Sequence, residues 1–272
     1  MTTSCKAIVM VFFLLGVLSN SACGQSENSS LTADQFSLPK KLQEISGLAI
    51  TQTGKILAIA DEEAVVYQID VAKQKAPKFT QFGDPPIKGD FEGLTVVEGK
   101  LFAITKEGDL FSKNFDDSNF EVVKTKLGKR CEIEGLAAHP NRRELWLLCK
   151  TPYKKKLKGK ITAFRWNLDS RSSAPPWQVD LSNVGINGKL SPSGLAFDVD
   201  GSSVWIVAAK QHVLLKLSLD GEMLLMKALP PQLHPQAEGV IVRGESLFIA
   251  DEGRDKKGRL SRYEIQSLHL GL

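Results

Sequence analysis

Short apolar runs, four to six residues long and separated by glycine, asparagine, aspartate or proline, recur along most of this chain. Runs of that length bounded by turn formers fit strands rather than helices. They come in pairs, the first of each pair opening on a small motif. Cys131-Glu132-Ile133-Glu134-Gly135-Leu136-Ala137 is the fullest example. Its relatives are Ile45-Ser46-Gly47-Leu48-Ala49, Phe91-Glu92-Gly93-Leu94-Thr95, Pro192-Ser193-Gly194-Leu195-Ala196 and Ala237-Glu238-Gly239-Val240-Ile241. The five glycines are separated by 46, 42, 59 and 45 residues. A strand-rich repeat of roughly 40 to 50 residues is the signature of a β-propeller blade.

The pattern predicts four blades of four strands and one of three. Blade one takes Ser46–Ile50, Lys55–Ala60, Val65–Asp70 and Lys78–Phe82, and blade two Glu92–Val97, Leu101–Thr105, Asp109–Asn114 and Phe120–Leu127. Blade three takes Glu134–Ala138, Leu145–Cys149, Lys160–Asn167 and Trp177–Leu181, with Arg171 to Pro176 read as a turn-rich insertion. Blade four takes Gly194–Asp198, Val204–Ala208, Val213–Ser218 and Met223–Ala228. Blade five has only Gly239–Val242, Leu247–Ala250 and Arg259–Ile265. Gln35 to Pro39 is the expected supplier of its missing strand, because closure removes two exposed sheet edges. The expectation is an all-β, five-bladed propeller over residues 35–267 with a tail at 268–272. A sixth, degenerate blade between Pro152 and Leu190 is the alternative.

Upstream, Lys6 precedes a short apolar run from Ala7 to Leu18, too short to span a bilayer, so residues 1–22 read as a signal peptide. Ser19 to Ala22 before Cys23 resembles a lipoprotein processing site, departing from it at Asn20. Cys23 is the expected lipid-bearing residue, residues 23–34 a polar tether, and the only membrane contact that anchor. Gly24 after it implies, by resemblance to lipoproteins of Gram-negative bacteria, the periplasmic side of the outer membrane; soluble export is the alternative.

A net charge of +4, from 35 basic and 31 acidic residues scattered through turns, points to no nucleic-acid partner. Lys154 to Lys160 reads as a solvated loop. Neither a phosphate loop, a nucleophile elbow nor a metalloprotease helix occurs. The expected assembly is a monomer. Cys131 and Cys149 flank one predicted hairpin in an exported, oxidising setting, which predicts a disulfide; two buried thiols are the alternative.

In a blade, the start of the first strand and the end of the second share one mouth of the central channel. Across the repeats that mouth should gather Ser46, Glu92, Glu134, Ser193 and Glu238 with Asp61, Lys106, Lys150, Ala209 and Asp251. Three converging glutamates need a cation or protons between them. All-oxygen donors suit Ca²⁺ better than Mg²⁺, and zinc is disfavoured. Pairing of the acids by Lys106 and Lys150 is the alternative. His212 and His234 fall near this mouth and read as solvated, His139 and His269 as incidental, and the four tryptophans as packing between blades.

The repeated Glu-Gly-Leu, the run Leu247-Phe248-Ile249-Ala250-Asp251-Glu252 and Pro235-Gln236-Ala237-Glu238-Gly239 resemble the SdiA-regulated, YjiK-like family of bacterial envelope proteins over Leu38 to Ile265. That resemblance implies a five-bladed propeller distantly related to NHL-repeat proteins, with a calcium site and no assigned activity. It implicates Glu92, Glu134 and Glu238 as ligands, with Asp61 and Asp251 beside them. The expected role is non-catalytic: binding a ligand or protein on the channel face. A calcium-dependent hydrolase resembling lactonase or esterase propellers, or a metal-free structural ring, are the alternatives.

Overall fold

A computed structural model describes residues 33–269. The expected signal peptide, Cys23 and nearly all of the tether lie outside the described residues. The described chain folds into five four-stranded antiparallel sheets arranged as a five-bladed β-propeller. Blade one is β2 (Ile45–Ile50), β3 (Ile56–Ala60), β4 (Val65–Ile69) and β5 (Lys78–Gln81). Blade two is β6 (Phe91–Val97), β7 (Lys100–Thr105), β8 (Asp109–Asn114) and β9 (Glu121–Lys124). Blade three is β10 (Cys131–Ala138), β11 (Glu144–Pro152), β12 (Lys160–Asn167) and β13 (Ser172–Asp180). Blade four is β14 (Gly194–Phe197), β15 (Ser203–Ala208), β16 (Val213–Ser218) and β17 (Met223–Ala228).

The fifth blade joins the two ends of the described chain. β18 (Ala237–Arg243), β19 (Ser246–Asp251) and β20 (Arg259–Glu264) are completed by β1 (Asp34–Ser37), which pairs antiparallel with β20. A sixth blade is not formed. Pro152 to Leu190 is spent within blade three, where the expected insertion is instead the first half of β13. Its Pro175 and Pro176 fall at a register shift on the outermost strand, where a missing N–H breaks no ladder. Of the expected tail, Leu268, in the short helix α1 (Ile265–Leu268), is fully buried. No helix among the described residues is long and apolar enough to cross a membrane.

The second strands read as unbroken apolar runs because both of their faces are covered. In β11, Leu145, Leu147 and Cys149 point into the gap toward blade two, while Trp146 and Leu148 point toward blade four. Each of the five gaps holds its own buried cluster. Trp166 belongs to the gap between blades two and three. Trp146 and Trp177 meet between blades three and four, and Trp205 lies between four and five.

The repeated glycine is a packing requirement at the axis. A Cβ on Gly93 would stand 2.6 Å from the Leu136 amide nitrogen of the next blade, and one on Gly194 would stand 2.1 Å from the Glu238 carbonyl oxygen. Innermost strands this close leave a neck of only about 10 Å³, walled by Leu48, Leu94, Leu136, Leu195 and Val240.

Cys131 and Cys149 form the expected disulfide, with Cα atoms 5.7 Å apart. They are not opposite one another: Cys149 faces Ile133 and Cys131 faces Pro152, with register shifts between.

Candidate functional site at the acidic mouth of the channel

Each of the three glutamates at the start of a blade's innermost strand sits at an irregularity of its sheet. Phe91 pairs with Thr105 and Gly93 with Ile104, leaving Glu92 as the extra residue of a β-bulge. Glu134 is extra between Ile133 and Gly135, Glu238 between Ala237 and Gly239, and Ser46 between Ile45 and Gly47. A bulge bends the strand and redirects one side chain out of the ladder. The following glycine then permits the tight approach to the neighbouring blade. The three Glu-Gly pairs and Ser46-Gly47 are therefore one backbone device with two side-chain options, while Ser193 lies just before β14.

The serine option staples blades together. Ser46 donates its hydroxyl to the Phe91 carbonyl and Ser193 to the Ala237 carbonyl, both at 2.6 Å across a blade gap. The glutamate option sets carboxyls in a common desolvated field. Burial, then the nearby Glu134, drives Glu92 up to about 9; Glu238 and Asp61 add to the effect. Burial, with Glu134, Glu252 and Asp251, drives Glu238 to about 8. Glu134 is only 3% exposed and is also raised, by burial, although Lys150 pulls the other way with Nζ 2.9 Å from Oε2. Burial alone would depress Lys150, but the attraction of Glu134, Glu238 and Glu92 outweighs it and holds the ammonium above its ordinary value. Lys150 is paired with Glu134, and Glu92 and Glu238 have no ion-pair partner among the described residues.

The remaining expected members divide. Asp61 lies just beyond β3 and shares the field of Glu92; burial and then Glu44 and Glu62 raise it, and its Oδ1 is buried without a hydrogen-bond partner. Lys106 instead pairs with Asp90. Asp251 is fully buried at the end of β19, and its Oδ2 accepts from His234 Nδ1–H at 2.8 Å, while Oδ1 is another buried atom without a partner.

His234 corrects the expectation of a solvated histidine. It is 1% exposed, with its second nitrogen, Nε2, bonded to the Tyr263 hydroxyl. Burial and then Asp251 push the Tyr263 pKa up, so the phenol keeps its proton and donates it. Asp251, His234 and Tyr263 thus form a buried chain linking β19, the loop before β18, and β20. Tyr263 carries no mark in the sequence beyond its place on a predicted strand. His212 Nδ1 is bonded to the His234 carbonyl at 3.1 Å. His139, read as incidental, is 5% exposed and stacks at 4.7 Å against Phe197.

The opposite mouth is wider. The hairpins joining the first and second strands of the blades there surround a funnel of about 660 Å³, separated from the acidic mouth by the leucine neck.

Among solved structures, the chain is similar to a luciferin-regenerating enzyme, at TM-score 0.54 and 11% identity over 85% of this chain and 95% of that one. It is also similar to the glutaminyl cyclase of Myxococcus xanthus, at TM-score 0.56 and 14% identity over 86% and 94%. Both likenesses support the propeller fold. No protein-family model matches the chain, and no curated protein matches it.

Proposed function

We propose that this chain is an exported, calcium-binding β-propeller of the bacterial envelope, with a binding or scaffold role rather than a catalytic one. The observation that carries this reading is the shared field of the half-buried Glu92 and the buried Glu134 and Glu238, in which only Glu134 is ion-paired, to Lys150. Without a cation two of these groups hold protons at neutral pH; a divalent ion would replace those protons and relieve the repulsion.

The donor chemistry fits a hard ion. Glu92, Glu238 and Asp61 offer oxygen only, and Asp61 Oδ1 and Asp251 Oδ1 are buried acceptors without partners. Lys150 already holds Glu134, so Glu134 would ligate only as the lysine lets go. Among the described residues no three acids already stand in a ligating arrangement, so binding would have to draw them together. The resemblance to SdiA-regulated, YjiK-like envelope proteins supports the same reading. His234 is not free to act as the base of a hydrolase, because both of its ring nitrogens are engaged inside the protein.

Thermal unfolding at pH 7.5 in Ca²⁺, in Mg²⁺ and in chelator tests the proposal. At about a hundred times Kd, calcium should add roughly 2.7 kcal/mol, or roughly 5–10 °C in Tm for a domain of this size. Glu92→Gln with Glu238→Gln should raise the metal-free Tm and erase the response. Equal Tm values in Ca²⁺ and chelator would remove calcium from the reading.

A further inference from the structure

We propose that the wide mouth, opposite the glutamates, binds a small amphipathic anion: an alkyl chain in the funnel with a carboxylate head at its rim. Its volume of about 660 Å³ lies inside the span typical of small-molecule sites. The floor is the leucine neck, and Ile50, Val96, Phe197 and Ile241 continue the apolar wall. An apolar wall that opens at one end onto charge suits a ligand with one oily and one charged end.

The sign of that charge follows from which rim groups are already satisfied. The two acids on the rim are consumed. Glu98 is paired with Arg143. Asp198 is held by Lys216 at 2.6 Å, Ser203 at 2.8 Å and the Trp205 indole at 3.1 Å. Two arginines remain. Arg142 joins no ion pair among the described residues. Arg243 joins none either, lying 4.7 Å over the Phe248 ring with one weak bond to the Gly54 carbonyl. The rim therefore presents positive charge, the reverse of the other mouth.

His139, on the funnel wall, supplies an independent observation. Its Nδ1 accepts the Asn141 amide N–H at 3.1 Å, which places the proton of the neutral ring on Nε2. That Nε2–H is buried and has no acceptor among the described residues. Burial and then Arg142 hold the ring's pKa down, so it stays neutral. An unmet donor beside the unpaired Arg142 is a cost that an anionic oxygen would lift.

Isothermal titration of the described chain with dodecanoate tests the site, with dodecyltrimethylammonium as the cationic control. The expected result is saturable one-to-one binding of dodecanoate, at least tenfold tighter than the control. Arg142→Gln with Arg243→Gln, both exposed, should weaken it at least tenfold, and Ile50→Gln should weaken it as well. Glu92→Gln, at the other mouth, should leave it unchanged. No saturable binding, equal binding of the cation, or indifference to the arginine pair would overturn the proposal. So would loss of dodecanoate binding in Glu92→Gln. The calcium reading can fail without touching any of these outcomes.

Discussion

Gly93 stands so near Leu136 that a single added methyl would fall 2.6 Å from that residue's amide nitrogen and 2.8 Å from its Cβ. Backbone cannot yield there as a flexible side chain would, because the five innermost strands brace one another around the axis. Gly93→Ala should therefore cost about 3 kcal/mol and lower Tm by roughly 6–12 °C. Gly99→Ala is the control: φ is +79° but nothing lies within 4 Å, so only left-handed strain of about 1–2 kcal/mol is expected. Chemical unfolding of the two variants should rank them in that order.

Metal-free stability should fall as pH rises between about 5 and 9. Glu92 and Glu238 have folded pKa values of about 9 and about 8 against an ordinary 4.5, so the folded state holds their protons more tightly. Their contribution is complete below the unfolded value and is lost as pH climbs through the folded ones. Burial also opposes ionisation of Glu144 and Asp198, but Arg165 and Lys216 outweigh it and lower them, so those two act at more acidic pH. Urea midpoints measured in chelator should slope downward across this window. The slope should flatten in the double glutamine variant or on adding calcium.

Tyr263→Phe should destabilise the protein by about 1–3 kcal/mol, because it strips the buried His234 Nε2 of its donor without changing shape. His234→Ala should cost more, since it frees both Asp251 and Tyr263. Equal urea midpoints for wild type and Tyr263→Phe would show that the hydroxyl contributes nothing.

Replacing both cysteines of the Cys131–Cys149 bridge by serine should cost about 3 kcal/mol, the loop-closure value for a separation of 18 residues. Comparison of oxidised and reduced wild type by the same unfolding assay provides the second measurement.

Strand spacing, blade number and the N-terminal closure could be read from the chain because turn residues and two-sided apolar runs announce them. The mouth-facing positions of Glu92, Glu134 and Glu238 followed from repeat geometry. What escaped was register. The bulges at those residues arise from how two backbones pair, and no side chain reports that directly. The same irregularity sets Cys149 across from Ile133, two residues from the cysteine it bonds. Pro175 and Pro176 looked like a turn because an outermost strand tolerates them without advertising itself. The bond between His234 and Tyr263 spans 29 residues and joins a loop to a strand, so neither neighbour reveals it.

β1 lies with Asp34 beside Arg262 and Ser37 beside Arg259, so the backbone enters the outer rim of blade five from the hairpin face. The described chain therefore begins on the same side of the ring as the arginine-rimmed funnel, opposite the glutamates. The direction of one four-residue strand thus decides which mouth of the channel the first described residue neighbours.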